Sequence, residues 1–273
     1  MKYIIYSIIS CLPLYSIAQQ HQLEQLWQTD AIVAVPESVL PDFDKKLLYI
    51  SLIDGGGWDA DGKGGVGKLG LDGKQYDGTW ISGLNAPKGL GRHGDRLYVA
   101  DITEVVVIDI PQGKIIKKIA VDSARALNDI TVTNEGIVFV SDSKTGRIWR
   151  IEKDIPRLFL DHVPGANGLK WIDGDLLYAE GKRLQKVNAQ QQTTLVAELP
   201  QGIDGIEPVG NGDYIVTAWI GYIFYVSANG HVDTLLDTHA ENMNTADIGY
   251  DAASRILYVP TFNAQKVVAF RLK

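Results

Sequence analysis

Leu47-Leu48-Tyr49-Ile50, Arg96-Leu97-Tyr98-Val99 and Ile137-Val138-Phe139-Val140 are short apolar segments with an aromatic residue at the third position. Leu176-Leu177-Tyr178-Ala179 and Ile256-Leu257-Tyr258-Val259 repeat the pattern, and Tyr214-Ile215-Val216-Thr217 keeps the spacing with Val216 in the aromatic's place. The third positions, 49, 98, 139, 178, 216 and 258, are separated by 49, 41, 39, 38 and 42 residues. Runs this short, rich in aromatic and β-branched residues, read as strands. A recurring period of roughly 40–45 residues with four strands per unit marks a propeller blade. Six such units over residues 19–273 predict an all-β chain folded as a six-bladed β-propeller.

The third unit shows the pattern in full, with strands expected at 130–132, 137–141, 147–151 and 157–160. Asn134-Glu135-Gly136, Asn211-Gly212-Asp213, Asn229-Gly230, Asp72-Gly73 and Asp173-Gly174 supply the turns, where Gly, Asn and Asp accept left-handed backbone. Only three strands are visible in the sixth unit, the last over 266–271. An incomplete blade leaves an open sheet edge, and residues 23–29 are expected to fill it and close the ring. The first unit is the longest, its excess being an Asp- and Gly-rich loop at 54–65. No linker marks off a second domain.

Of the 273 residues 45% are hydrophobic and 22% charged, enough apolar surface for a full core. Acidic residues outnumber basic ones by 33 to 26, and the formal net charge of −7 excludes nonspecific attraction to nucleic acid or an anionic membrane. Met1-Lys2 precedes a mostly apolar stretch from Tyr3 to Leu14, and Ser16-Ile17-Ala18 places small residues where a signal peptidase cuts. Residues 1–18 are therefore read as a signal peptide and the mature protein as periplasmic or secreted. The apolar stretch is too short for a comfortable membrane span. Two alternatives stand beside this reading: a buried first strand, and lipid attachment at Cys11, since Ile8-Ile9-Ser10-Cys11 loosely resembles a lipobox. Cys11 is the only cysteine, so a mature chain would carry no disulfide, thiolate nucleophile or cysteine metal site.

The innermost strand of each blade lines a shared central channel. Counting back 10–12 residues from each aromatic-centred strand reaches Glu37, Lys88, Asn128, Asn167, Asp204 and Asp247. All six are polar or charged and each opens an apolar segment, which places them around one mouth. A water-filled channel tolerates such side chains without any function. Alternatively, their carboxylate and amide oxygens form a hard ligand set suited to Ca²⁺, Mg²⁺ or Mn²⁺. None of the five histidines falls at a channel position, so a closed zinc site is not expected.

At these residues the chain resembles the SMP-30/gluconolactonase-like family of six-bladed propellers. Pro36-Glu37-Ser38, Leu127-Asn128-Asp129, Ala166-Asn167-Gly168-Leu169 and Ile203-Asp204-Gly205 carry the resemblance, in phase with the blade repeat. It implies that Glu37, Asn167 and Asp204 hold one divalent cation, Ca²⁺ first among the candidates. It also implies that Asn128 orients a small-molecule substrate or a bound water and that Asp204 helps activate the water. The implied reaction is metal-assisted opening of a sugar or small lactone. A noncatalytic propeller that binds a ligand or a protein at the same mouth is the alternative.

Lys88 and Asp247 depart from the family pattern. A cation at Lys88 would compete with a metal, pair with an acid, hold an acidic substrate, or simply extend out of the channel. Asp247 adds an acid that balances Lys88 or contacts substrate. Two segments, from Gly57 to Lys63 and from Gly62 to Lys68, have the glycine and lysine spacing of phosphate loops, but Gly64 and Leu69 stand where Ser or Thr is required. Asp59-Ala60-Asp61-Gly62 resembles the start of a calcium loop without its closing glutamate. No Gly-x-Ser-x-Gly elbow is present. His162 precedes Asn167 closely enough to reach the channel rim, with a solvated loop histidine as the favoured reading; Trp219, Ile220 and Tyr222 could wall a pocket, with inter-blade packing as the favoured reading.

Overall fold

The computed structural model describes residues 21–273; the expected signal peptide and Cys11 lie outside the described residues. Strand β1 (Leu23–Gln28) comes first. Blade 1 follows as β2 (Pro36–Asp42), β3 (Leu47–Leu52), β4 (Gly64–Gly70) and β5 (Asp77–Leu84). Blade 2 is β6 (Pro87–His93), β7 (Arg96–Asp101), β8 (Glu104–Asp109) and β9 (Lys114–Ala120). Blade 3 is β10 (Leu127–Val132), β11 (Val138–Asp142), β12 (Arg147–Glu152) and β13 (Ile155–Leu160). Blade 4 is β14 (Ala166–Ile172), β15 (Asp175–Glu180), β16 (Arg183–Val187) and β17 (Thr193–Glu198). Blade 5 is β18 (Ile206–Gly210), β19 (Asp213–Ala218), β20 (Tyr222–Val226) and β21 (Val232–Asp237). Blade 6 is β22 (Gly249–Asp251), β23 (Ile256–Pro260) and β24 (Val267–Leu272), and β1 adds its outer strand. Each blade is an antiparallel meander of four strands, so the sheets form a six-bladed propeller. No helix of the described residues is long and apolar enough to cross a membrane.

The four strands expected in the third unit are all present, each reaching one or more residues beyond its apolar centre. Strand β1 pairs with β24 from Leu23↔Leu272 to Gln28↔Val268, as the missing edge required. The latch extends past the strand itself. Thr29 N–H donates to the Val267 carbonyl at 3.0 Å, and Lys273 N–H donates to the Gln22 carbonyl at 2.9 Å. Trp27 packs toward blade 1 at Gly73 and toward Tyr258 of blade 6, whose ring lies 6.0 Å away. One short strand therefore joins both ends of the chain and both sides of the ring seam.

The core lies between blades, because each sheet buries one face against its neighbour. Tyr98 and Val107 of blade 2 pack with Leu127, Val140 and Trp149 of blade 3 in one such layer. Tyr49 and Tyr258 are fully buried, which explains the recurring aromatic in the second strand. Polar ties also cross the seams. Buried Asp42 of blade 1 pairs with Arg92 of blade 2 at 2.7 Å. Thr131 of blade 3 accepts the Trp171 N–H of blade 4 at 3.0 Å, and Lys170 of blade 4 pairs with Glu207 of blade 5 at 2.7 Å.

Candidate functional site

In blades 1–4 the ladder between the two innermost strands slips near its start, between Pro36/Val39, Pro87/Leu90, Leu127/Ile130 and Ala166/Leu169. Glu37-Ser38, Lys88-Gly89, Asn128-Asp129 and Asn167-Gly168 fall inside these slips. A bulge frees residues from the ladder and re-aims their side chains. Blade 5 repeats the arrangement just ahead of β18, where Asp204 N–H donates to the Thr217 carbonyl at 2.8 Å and Thr217 N–H to the Gly205 carbonyl at 3.0 Å. Hydroxyls satisfy main-chain groups at this level. The N–H groups of Ser38, Asp129 and Gly205 donate to Ser51, Ser141 and Thr217 at 2.8, 3.0 and 2.8 Å. The inner strands converge so closely that a Cβ on Gly168 would lie 1.9 Å from the Asp204 carbonyl oxygen, so only glycine fits there.

Five of the six positions picked out by the blade repeat meet as expected: Glu37, Lys88, Asn128, Asn167 and Asp204 line one cavity of about 370 Å³. Asp247 does not join them. The Ala246 N–H donates to the Pro260 carbonyl at 3.2 Å, the bond that Asp204 makes to Thr217 in blade 5. Ala246 therefore holds the sixth mouth position and Asp247 sits one residue deeper, level with Ser38. There its carboxylate accepts from the Ser38 hydroxyl at 2.5 Å and lines a second cavity of about 180 Å³ with Asp129, Lys170 and Glu207. The length between the first two strands varies from blade to blade, so counting back from an aromatic anchor misses the register of the sixth blade by one residue.

Burial dominates the electrostatics. Glu37 is held well above the usual carboxylate range by desolvation, with Lys88 pulling the other way and Asp204 and Asp247 adding to the rise. Asp204 is raised to about 6 by burial, against the lowering effects of the Asn167 hydrogen bond and Lys88. Asp247 is raised to about 7 by burial despite its bond from Ser38. Burial lowers Lys88 while Glu37, Asp204 and Asp101 hold its proton on. Among the described residues Lys88 forms no ion pair within 4.0 Å. Its ammonium instead lies 4.4 Å from the centre of the Trp58 ring.

The amides are partly fixed. Asn167 donates to Asp204 at 2.9 Å. Asn128 donates to the Ser143 hydroxyl at 3.0 Å, and that hydroxyl donates to the Ala166 carbonyl at 2.6 Å. Asn128 is thereby turned with its oxygen away from Ser143. Two buried oxygens at the mouth, Glu37 Oε2 and Asn167 Oδ1, have no hydrogen-bond partner among the described residues. An unmatched buried acceptor costs about 1–3 kcal/mol, so the pair calls for a donor or a cation. The donors are hard oxygens and fit a divalent ion in kind. The set leans on the Asn167 amide: among the described residues no three His, Cys, Asp or Glu side chains come together as a metal group.

Three aromatic side chains wall the mouth: Trp58, Trp219 and Phe262. Trp219 meets Phe262 edge-on at 5.4 Å. Trp219 was the legible one, lying just after the second strand of blade 5. Trp58 and Phe262 lie outside the strand repeat, and a single apolar residue in a loop carries no signal of its own in the sequence. Tyr222 stacks on Phe224 and meets His239 at 2.8 Å, away from the mouth. His162 has a side chain 93% exposed and pairs only with Asp161, at 3.9 Å, so it is a solvated loop residue. Asp61 folds back on Lys63 of its own turn at 3.2 Å.

No protein-family profile and no curated protein sequence matches the chain. Its fold is similar to several solved structures. A protein provisionally described as a gluconolactonase is 14% identical, with 94% of this chain and 93% of that one aligned at a TM-score of 0.69. Virginiamycin B lyase from Staphylococcus aureus is 14% identical over 93% of this chain and 100% of its own, with a TM-score of 0.65. A chain of the nidogen/laminin complex is 15% identical over 74% and 80%, at 0.64. Identities this low establish the shared propeller fold and leave function to the site.

Proposed function

We propose that the chain is an exported, divalent-cation-dependent hydrolase that opens a sugar or small aliphatic lactone at the channel mouth. The observation that carries this reading is the pair of partnerless buried oxygens, Glu37 Oε2 and Asn167 Oδ1, at the cavity that Asp204 also lines. Glu37, Asn167 and Asp204 would hold the ion, with Ca²⁺ the first choice for an all-oxygen set and Mg²⁺ or Mn²⁺ next. Such an ion supplies polarisation of a carbonyl and acidification of water. The chain's own residues supply the rest. Asp204 would be ionised beside the ion, and its carboxylate is the group that would take a proton from the attacking water. Asn128, held by Ser143, offers an oxygen that orients a substrate hydroxyl or the water without titrating. Lys88 places positive charge beside the carboxylate that ring opening creates. Trp58, Trp219 and Phe262 narrow the mouth and limit water around the reacting group.

A lactone panel assayed with and without EDTA tests this. Turnover should be lost in EDTA and return with Ca²⁺. Asp204→Asn and Asn128→Ala should each lower kcat, with about a 100-fold loss for the proton acceptor. Turnover that survives both EDTA and Asp204→Asn rejects the mechanism. A second reading, a noncatalytic binding propeller using the same mouth, draws on the exposed apolar residues Trp58 and Trp219 of its wall, which are 45% and 40% accessible; Ile220 is exposed next to Trp219 but does not line the cavity. It gains if no lactone or ester is turned over. Export is checked separately by mass spectrometry of the mature protein, expected to begin at Gln19. An intact Met1 in a cytosolic pool rejects export, and a diacylated Cys11 selects the lipoprotein form.

A further inference from the structure

Beside the mouth lies another cavity, of about 440 Å³, and the indole of Trp58 lines both. Its other walls are Arg125 and Ala126, on the turn before β10, and Ser143 and Lys144, on the turn after β11. We propose that this cavity is an anion-binding subsite, so that the ligand is a small molecule carrying a carboxylate or phosphate group set apart from its reacting carbonyl. The inference rests on the mouth being the reaction site.

A buried clasp fixes the main chain from which both cations extend. Asp142, the last residue of β11, is fully buried. One of its oxygens accepts the Arg125 N–H at 2.9 Å. The other accepts the N–H groups of Ala126, Lys144 and Thr145 at 3.1, 3.2 and 3.1 Å. The carboxylate is thus spent on main chain. It fixes where both side chains begin and pairs with neither. No acidic side chain of the described residues lies within 4.0 Å of the Arg125 guanidinium or the Lys144 ammonium. Arg147, which lines an adjoining hollow with Arg125, is by contrast paired with Asp161 at 3.3 Å. The Arg125 and Lys144 side chains are both exposed, and they line one cavity with no acidic side chain of the described residues to neutralise them.

Blade 2 shows what the clasp does without them. There Asp101 accepts the Asn85 and Ala86 N–H groups at 3.0 and 2.9 Å, the bonds that Asp142 makes to Arg125 and Ala126. The segment ahead of the inner strand makes the same two bonds, but Asn85 stands where blade 3 has Arg125. The hairpin after Asp101 is shorter, pairing Asp101 with Glu104, whereas Asp142 pairs with Arg147 across the four residues that include Ser143 and Lys144. The bonds to the carboxylate therefore do not require an arginine at position 125, and the longer hairpin of blade 3 is what brings Lys144 beside it. Ser143 connects the subsite to the mouth, because its hydroxyl accepts from the Asn128 amide. Trp58 stands between the two spaces with one region taken by the Lys88 ammonium. A ligand seated with its carbonyl at the mouth would pass this indole and present its anion to Arg125 and Lys144, a guanidinium and an ammonium being suited to either carboxylate or phosphate.

The probes are 5-oxotetrahydrofuran-2-carboxylate, its neutral carboxamide, and the phosphate ester of the matching hydroxymethyl lactone. Binding is measured by calorimetry at low ionic strength, and turnover in parallel. The wild-type protein is expected to bind at least one anionic lactone about tenfold or more tightly than the carboxamide. Whichever anion binds better identifies the group recognised. The double substitution Arg125→Ser with Lys144→Ser should erase the preference, while Lys114→Ser on the outer strand of blade 2 should keep it. Equal binding of all three probes, no binding of either anion, or a preference that survives the double substitution overturns the subsite. Charge-dependent binding without turnover of any lactone keeps the subsite and rejects hydrolysis. Turnover without charge preference does the reverse.

Discussion

A chain that begins at residue 31 is expected to melt about 10 °C below one that begins at residue 21, and to self-associate. Removing the segment strips the outer strand from blade 6 and exposes the edge of β24. It also removes Leu23, Leu26 and Trp27, which pack as partly buried side chains on the blade 5–6 and blade 6–1 layers. Half-burying three large apolar side chains, together with the lost ladder, is worth on the order of 3–5 kcal/mol. For a domain of this size 1 kcal/mol moves Tm by about 2–4 °C. The free edge of β24 presents unpaired N–H and C=O groups to other molecules, which promotes edge-to-edge association. Calorimetry and light scattering on the two chains decide the matter. Equal melting temperatures would show that the ring holds without its latch.

The second large effect is a coupling between pH and cation. In EDTA, the melting temperature should fall as pH rises from 5 to 8; millimolar Ca²⁺ should restore it at pH 8 and have little effect at pH 5. Asp204 and Asp247 are raised by burial to about 6 and about 7, and burial also raises Glu37 and Asp129. A carboxyl whose folded value lies above its unfolded one binds its proton more tightly when folded. Stability therefore falls as pH climbs from the unfolded value, roughly 4, through the folded one, and the penalty is complete above it. For Asp204 alone this is on the order of 3 kcal/mol. Surface acids with lowered values, such as Glu152 beside Arg150, act in the opposite sense but at lower pH, below the window examined. A cation offsets the penalty only where the carboxylates are ionised, so its benefit grows with pH. Asp204→Asn should flatten the EDTA profile and weaken the Ca²⁺ response. A profile already flat between pH 5 and 8 in the wild-type protein would contradict the electrostatic account of the channel.

The ring was legible because its repeat is imposed by packing. Every blade must bury a second strand against its neighbour, and the aromatic and aliphatic runs at that strand recur for this reason. The latch was legible because an unfilled edge is costly. The mouth was legible to within one residue. Glu37, Lys88, Asn128, Asn167 and Asp204 sit where the count placed them, while Asp247 lies one level too deep. A count along the chain does not sense the bulges and variable hairpins that set register. Trp58 and the Arg125–Lys144 pair follow no period at all. Trp58 stands on the irregular loop between β3 and β4, and Arg125 and Lys144 on turns held by Asp142; the carboxylate recurs in blade 2 as Asp101, but the side chains carried by those turns do not.

The bulges carry a consequence for how such a protein can change. In each of the first four blades the ladder resumes at Val39, Leu90, Ile130 or Leu169, whatever side chain precedes it. Glu, Lys, Asn and Asp all occupy equivalent posts, and Ala246 occupies the sixth without presenting any polar group. The side chains that line the mouth are therefore mechanically insulated from the residues that hold the sheets together. Exchange at one post alters what the mouth attracts while strand pairing is left intact. The scaffold behaves as a fixed frame with interchangeable fittings, and Ala246 is the fitting still blank.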